Sequence, residues 1–276
     1  TGNCAYLTYV GQSYRPPRTF LKLSAGDRTR LMDCSGMPLF LIFGSMNIQS
    51  EVLDNPHLIH PLLVLGAGHF GQRAVNLLSK RVKGKVWVID KDWQSLGQVT
   101  EPNVERVQAD AVEFLLSKAK SLPEETHIVP AVPFHLAYEF AKRTVGRTLA
   151  TRSLPVPLDL KKALPYVWEG ADGSFLVSYA NFRCPDNCPE PLYCTVTGEK
   201  RDKPLFTLLR ELRANGFRVY IIRSRQMAPG VGGYDLADLL RLCFALERGP
   251  GKWLVGTACK CHGVLSGLEI VERATR

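Results

Sequence analysis

The sequence predicts an α/β protein in two parts. A parallel-sheet domain spans residues 56–154, and a second, smaller α/β domain with a cysteine-rich loop spans 155–276. Three observations predict it. Short apolar runs alternate with segments of helical periodicity along both halves. A glycine-rich turn, Gly66-Ala67-Gly68-His69-Phe70-Gly71, separates the first convincing strand from the first helix. Gly146, Pro155, Pro157 and Pro165 punctuate residues 145–168 and read as a linker.

Composition narrows the class. The chain has 276 residues, of which 45% are hydrophobic and 22% charged, enough to build real cores and too balanced for a disordered chain. Its net charge is +9, but no block of five or six basic residues occurs, so nucleic-acid binding has no motif behind it. The excess charge suits a basic surface or an anionic ligand. No apolar run approaches the ~20 residues that a membrane span needs, and no signal peptide is legible. Eight cysteines at uneven spacing suggest a reducing, cytoplasmic compartment and metal or redox use. Residues 1–55 read as a weakly ordered N-terminal extension. Phe20 to Leu23 and Leu39 to Phe43 are candidate short strands there, and Cys4 and Cys34 are ordinary free thiols.

In the first half, Leu62 to Leu65 is a buried strand running into the glycines, and a helix follows. A second strand, Val86 to Ile89, ends in Asp90, 19 residues after Gly71. This is the dinucleotide fingerprint G-x-G-x-x-G in its required context of strand, helix, strand and acid. Gly66 permits the tight turn, Gly68 lets a pyrophosphate approach the backbone, and Gly71 lets helix and strand pack closely. The phosphates would sit on the free N–H groups of the helix N-terminus, from His69 and Phe70 onward. Asp90 is placed to bind a ribose 2′-OH, which favours NAD(H) over NADP(H), although the neighbouring Lys91 weakens that preference.

Val104 to Val107 is a third strand, followed by a helix over Ala111 to Leu122. Asp110 serves as its N-cap, as a contact for the adenine end of the ligand, or as both. His127 to Pro130 is a fourth strand. Pro130 has no N–H to give to a sheet, so the strand ends there or lies at an edge. Pro130 to His135 then stands at the carboxyl edge beside the cofactor crevice.

The stretch GAGHFGQRAVNLL…VWVID…VQADAVEFL resembles the TrkA-type (RCK or KTN) NAD-binding domain of potassium-uptake regulators, a Rossmann-like domain. The resemblance covers about 60 to 80 residues. It implies nucleotide-binding positions at Gly66, Gly68, Gly71, Asp90 and Asp110. Through the glycine loop alone, the chain is also similar to the NAD-binding part of siroheme-type precorrin dehydrogenases.

The second half reads as β-α-β-α-β-α, which predicts a parallel sheet with right-handed crossovers. Its strands are Phe175 to Ala180, Phe217 to Ile222 and Trp253 to Thr257. Its helices are Pro204 to Ala214, the segment capped by Asp235, and Val264 to Val271. In such a sheet every loop after a strand emerges at one edge. Cys184, Cys188 and Cys194 (C-x3-C-x5-C) can therefore meet Cys259 and Cys261, although 65 residues separate Cys194 from Cys259. Three thiolates and a fourth ligand from Cys259 or Cys261 would hold an iron–sulfur cluster or zinc, with the proline-rich loop leaning to the cluster. A redox dithiol or unrelated free thiols are the alternatives. His262 is either a further ligand or a helix start. Cys243, on an apolar helical face, belongs to the core.

A third loop at this edge carries Arg223, Arg225, Gly230, Gly232 and Gly233 ahead of a helix, which suits an anion. His69 and His135 flank the crevice and are the candidate proton donors or acceptors. The chain lacks a complete nucleophile–base–acid set, which argues against a hydrolase. Expected partners are the dinucleotide, a small anionic substrate and, in a homodimer, a second copy of the chain. The function expected is an NAD(H)-binding oxidoreductase with a cysteine-bound metal or cluster. The alternatives are a non-catalytic NAD(H) sensor with a structural metal, resembling the TrkA-type regulators, and an assembly protein with a vestigial fold.

Overall fold

The computed structural model describes residues 60–273. The extension, its two candidate strands, Cys4 and Cys34 lie outside the described residues. In chain order the strands are β1 (Leu62–Leu65), β2 (Val86–Asp90), β3 (Val104–Gln108), β4 (His127–Pro130), β5 (Ala150–Leu154), β6 (Tyr166–Glu169), β7 (Phe175–Ser178), β8 (Phe217–Arg223), β9 (Arg225–Ala228), β10 (Val231–Asp235), β11 (Gly251–Ala258) and β12 (His262–Val271). The helices are α1 (His69–Leu78), α2 (Trp93–Gly97), α3 (Ala111–Lys118), α4 (Leu136–Val145), α5 (Leu205–Arg210) and α6 (Leu236–Glu247).

These elements form a mixed α/β protein with two sheets. The first has the order β3-β2-β1-β4-β10-β9. Its β1 to β4 are mutually parallel, and β10 joins β4 antiparallel. The order 3-2-1-4 is how the first strands of a doubly wound sheet are arranged. The second sheet has the order β6-β7-β12-β11-β8, with β5 also pairing β12. Only β8 and β11 run parallel in it; β12 is antiparallel to β11, β7 and β5.

Alternation of side chains along the strands builds the layers. Leu62 and Val64 pack with α1 residues Ala74, Val75 and Leu78 on one face of the first sheet. Leu63 and Leu65 point the other way, into a core shared with α4, α6 and β11 residues Trp253 and Val255. Leu254, on the opposite face of β11, packs with Leu205 and Leu209 of α5. The sequence of layers is therefore helices, first sheet, helices, second sheet, helix. β1 is buried at every position, as a central parallel strand should be. α6 is started by a capping box between Asp235 and Asp238, and it buries Leu236, Leu239, Leu242, Cys243 and Leu246 at helical spacing.

Three expectations are corrected. The span 145–168 contains β5, a 3₁₀ turn over Leu158–Ala163 and the start of β6 rather than a linker. β5 is too short to show periodicity and is held by its pairing with β12. The second sheet is mixed, because Val264 to Val271 is strand and not helix. It is buried on both faces, so no period-2 alternation marks it, and Gly267 lies so close to β5 that an added Cβ would be 2.5 Å from the Leu154 carbonyl oxygen. The glycine-rich segment before α6 is the hairpin β9–β10 rather than a loop. The chain passes between the two sheets three times, after β4, after β8 and after β10, and not once at the expected boundary near residue 155. β5, before it, pairs with β12, and β9 and β10, after it, extend the first sheet.

Candidate functional site

The glycine turn follows β1 at the carboxyl edge of the first sheet. Gly66 has φ +107°, and a Cβ there would lie 2.2 Å from the Ala131 carbonyl oxygen. A Cβ on Gly71 would lie 1.9 Å from the Gly66 carbonyl oxygen. Both positions therefore exclude any side chain. Gly68 differs: nothing stands within 4 Å of its would-be Cβ. It is the N-cap of α1 and no side chain caps it, so the first N–H groups of the helix have no side-chain acceptor at the cap. Asp90 closes the turn from β2. Its Oδ2 accepts a 2.6 Å hydrogen bond from the Ala67 N–H, and its Oδ1 accepts one from Asp92 at 2.9 Å.

Asp110 caps α3 by accepting from the N–H groups of Val112 and Glu113, and it pairs with Lys91 at 2.7 Å. Burial raises its pKa, but the Lys91 ammonium and the cap bonds outweigh that and hold the carboxyl below its ordinary value. Lys91 is thereby drawn toward Asp110.

The cysteines lie where strand direction predicts. β7 and β11 are both antiparallel to β12, so their carboxyl ends share one edge, and β12 starts from that edge at His262. The Cys184 Sγ lies 3.4 Å from His262 Nε2, and the Cys259 Sγ lies 3.9 Å from His262 Nδ1. The Cys259 sulfur also accepts from the N–H groups of Cys261 and His262, at 3.5 and 3.3 Å. Ligand atoms of Glu190, Cys259 and His262 all lie within 4.8 Å of one another. Glu190 is the one non-glycine with positive φ among the described residues, at +49°.

Electrostatics follow from this crowding. Burial, then the Glu190 charge, pushes the Cys259 thiol well up. Burial raises Cys261 to about 12, and Glu190, Cys188 and Cys184 add to that. Burial lowers His262 to about 4. Cys194 differs in kind. It sits on a turn bridged by Tyr193 and Lys200, and hydrogen bonds to Thr197, first its backbone N–H, lower its thiol to about 7.

One cavity of about 130 Å³ joins the two regions. Phe70, Pro130 and Ala131 line it from the glycine-turn side; Cys184, Cys188, Glu190, Cys259 and His262 line it from the other. One side-chain contact ties the walls together directly, and a second ties α1 to the neighbouring β9–β10 turn. His69 Nε2 lies 2.9 Å from Asp186 Oδ2, within hydrogen-bond reach, and this partner lowers the Asp186 pKa. Arg73 of α1 donates to the Pro229 carbonyl beside Gly230. Gly230, at φ +75°, approaches the Asp186 carbonyl so closely that a Cβ would be 1.7 Å away.

Not every expected residue arrives at the site. His135 is buried, with Nδ1 3.0 Å from the Ser266 hydroxyl and its ring stacked on Tyr138, and it does not line the cavity. Burial lowers its pKa to about 3, so it stays neutral. The two arginines of the expected anion site are engaged elsewhere. Arg223 stacks on Phe206 at 4.6 Å, and Arg225 bonds Asp235 and Asp238 at 3.1 and 3.0 Å. Gly230 and Gly232 line the cavity, while Gly233 sits inside β10 against the Ile128 carbonyl. Cys194 stands outside the group of Glu190, Cys259 and His262. Counting thiols alone missed Glu190, although a carboxylate two residues after Cys188 in the same loop is an ordinary zinc ligand type. Cys243 is buried in α6, as its apolar helical face predicts.

Comparison with known proteins adds kinship. A protein of Archaeoglobus fulgidus, described as "Uncharacterized protein", is 29% identical over 219 residues, covering 75% of this chain and 98% of its own length. A match of that extent must reach into the glycine-turn half. No solved structure matches the chain. Residues 134–271, half of the sequence, match the AF_1314_C family, described as "Uncharacterized protein, C-terminal domain". That half carries all the cysteines around the cavity, and the chain belongs to the AF_1314_C family.

Proposed function

We propose that the protein is an NAD(H)-binding oxidoreductase whose second wall holds a metal ion or iron–sulfur cluster on the cysteine loops. The observation that carries this reading is the shared cavity, lined by Phe70, Pro130 and Ala131 on one side and by Cys184, Cys188, Cys259 and His262 on the other. The open space at Gly68 and the uncapped start of α1 suit a pyrophosphate. Asp90, fixed by Ala67 and Asp92, suits a ribose hydroxyl. The Asp90 carboxylate would repel a 2′-phosphate, and Lys91 beside it is paired with Asp110, which favours NAD(H) over NADP(H). Held by the glycine turn and Asp90, NAD(H) would supply or accept a hydride. His69, exposed and paired with Asp186 beside the cavity, is the side chain placed to hand over or take a proton in this reading. His135, enclosed and without a place on the cavity wall, has no acid–base part in this reading.

One observation favours a second reading. The His69–Asp186 contact links the first residue of α1 to the cysteine loop directly, and Arg73 links α1 to Pro229 of the β9–β10 turn, where the Gly230 N–H donates to the Cys188 carbonyl. A TrkA-like sensor would use that coupling to report NAD(H) occupancy, with a structural metal. Titration of the anaerobically purified protein with NADH, followed by an artificial electron acceptor, separates the two. Oxidation of NADH supports the oxidoreductase, tight binding without turnover supports the sensor, and absence of binding removes both.

A further inference from the structure

The cysteine-rich side of the cavity contains three side chains of different chemistry that converge, and they are not the cysteine set that spacing alone selects. Glu190 comes from the loop after β7, Cys259 from the end of β11, and His262 from the start of β12. Their donor atoms lie within 4.8 Å of one another, so side-chain shifts of about 1 Å bring them to the roughly 3.3–3.8 Å that separates neighbouring ligands around a tetrahedral ion with bonds of about 2.0 to 2.3 Å. All three line the cavity. Glu190 is half-buried beside the Cys259 sulfur, and a cation between a carboxylate and a thiolate offsets their mutual repulsion. Glu190 holds its place despite a left-handed backbone, and the Lys260 N–H and ammonium bond its carboxylate and its carbonyl. Cys184, 3.4 Å from the Nε2 of His262, stands as a neighbour of the ring.

We propose that Glu190, Cys259 and His262 bind one divalent ion of the zinc class, and that its fourth coordination position faces the cavity. Three protein ligands with an open position are the pattern of zinc sites that bind substrate, whereas structural sites are closed by four. The cavity sets the ligand class. Phe70, Val129, Pro130, Ala131 and Val231 make most of its remaining wall apolar, so the ion would take the oxygen of a small, largely uncharged molecule such as an alcohol or carbonyl compound. The assignment deepens the proposed function by giving the second wall a Lewis-acid site; it rests on that reading only for what binds opposite.

The test uses zinc alone. The full chain, stripped with a chelator, is titrated with Zn²⁺ against a fluorescent zinc indicator, and NADH binding is followed in parallel. One tight zinc per chain is expected. Removing an outer-shell partner of a metal typically weakens it 10- to 100-fold, so Glu190→Gln and His262→Gln should each weaken zinc by more than about 100-fold, while Cys194→Ser stays within about two-fold. Wild-type affinity in both Glu190→Gln and His262→Gln overturns the assignment. So does an iron–sulfur chromophore that survives Glu190→Gln in place of zinc, although the proposed function then stands. Zinc binding as stated without NADH binding removes the proposed function and keeps the site. Cobalt(II) in the wild-type protein needs no variant: an open position predicts that imidazole changes its visible spectrum, and an unchanged spectrum contradicts that position.

Discussion

The two walls of the cavity are built by opposite means. The glycine wall is local: Gly66 to Gly71 follow β1 directly, and Asp90 closes the turn from the adjacent β2. Hard sterics fix it, because Gly66 and Gly71 each leave no room for a Cβ. The cysteine wall is assembled from residues 184–190 and 259–262, which meet only because β7 and β11 end at one edge of the second sheet. It gathers close polar side chains around the cavity, although Gly230 also presses on its backbone at the Asp186 carbonyl. The glycine wall should therefore fail by steric clash and the cysteine wall by loss of a ligand or of charge balance.

The largest effect expected breaks the glycine wall. Gly66→Val forces a β-branched residue to φ +107° and drives its Cβ into the Ala131 carbonyl, a combination costing more than about 3 kcal/mol. Chemical denaturation checks it; a loss under about 1 kcal/mol would show that the turn relaxes. The next effect concerns the core layer where α4 meets the second sheet. His135 is neutral in the fold, with its pKa lowered to about 3, and takes a proton near its ordinary 6.5 when unfolded. Above pH 6.5 it contributes no pH dependence. As pH falls from 6.5 toward 3 the unfolded state binds the proton first, so stability drops by up to about 1.4 kcal/mol per pH unit. Urea midpoints at pH 7, 6 and 5 should fall more steeply in the wild type than in His135→Gln; parallel curves contradict the neutral, enclosed ring.

Two smaller effects sharpen the contrast. Gly68→Ala meets no atom within 4 Å, so its stability should lie within about 1 kcal/mol of the wild type. Its NADH affinity should fall at least about ten-fold, because the methyl group occupies the phosphate approach. Equal affinity, measured by NADH fluorescence, would place the phosphates elsewhere. His69→Ala removes the contact between the walls. Both partners are partly exposed, so the loss is at most about 1 kcal/mol. Its signature is kinetic: protease digestion of the cysteine loop should lose its sensitivity to NADH, and unchanged protection would show that Arg73 alone carries the coupling.

The same contrast explains what the residues revealed in advance. β1 to β4, α1, the glycine turn and Asp90 were legible because each is specified within about 30 residues by apolar runs and by glycines with steric roles. The convergence of Cys184 with Cys259 was legible too, since it needs only two strands of the same direction. β12 was not, because a strand buried on both faces reads like a helix segment. The hairpin β9–β10 was hidden behind arginines and glycines that resemble an anion loop; its partner, β4, is far away in sequence. His135 looked poised from its position after Pro130, but α4 turns it inward onto Ser266. Glu190 was not legible because it stands between two prolines in a run whose recognisable spacing is that of its cysteines.

In the proposed function NAD(H) and the ion would face each other across one cavity. Proton resonances of bound NAD⁺ test it most directly, compared between protein loaded with paramagnetic cobalt(II) and protein loaded with zinc. Cobalt broadening the nicotinamide protons well beyond the adenine protons is the result predicted. Equal broadening at both ends, or none, would contradict the shared cavity.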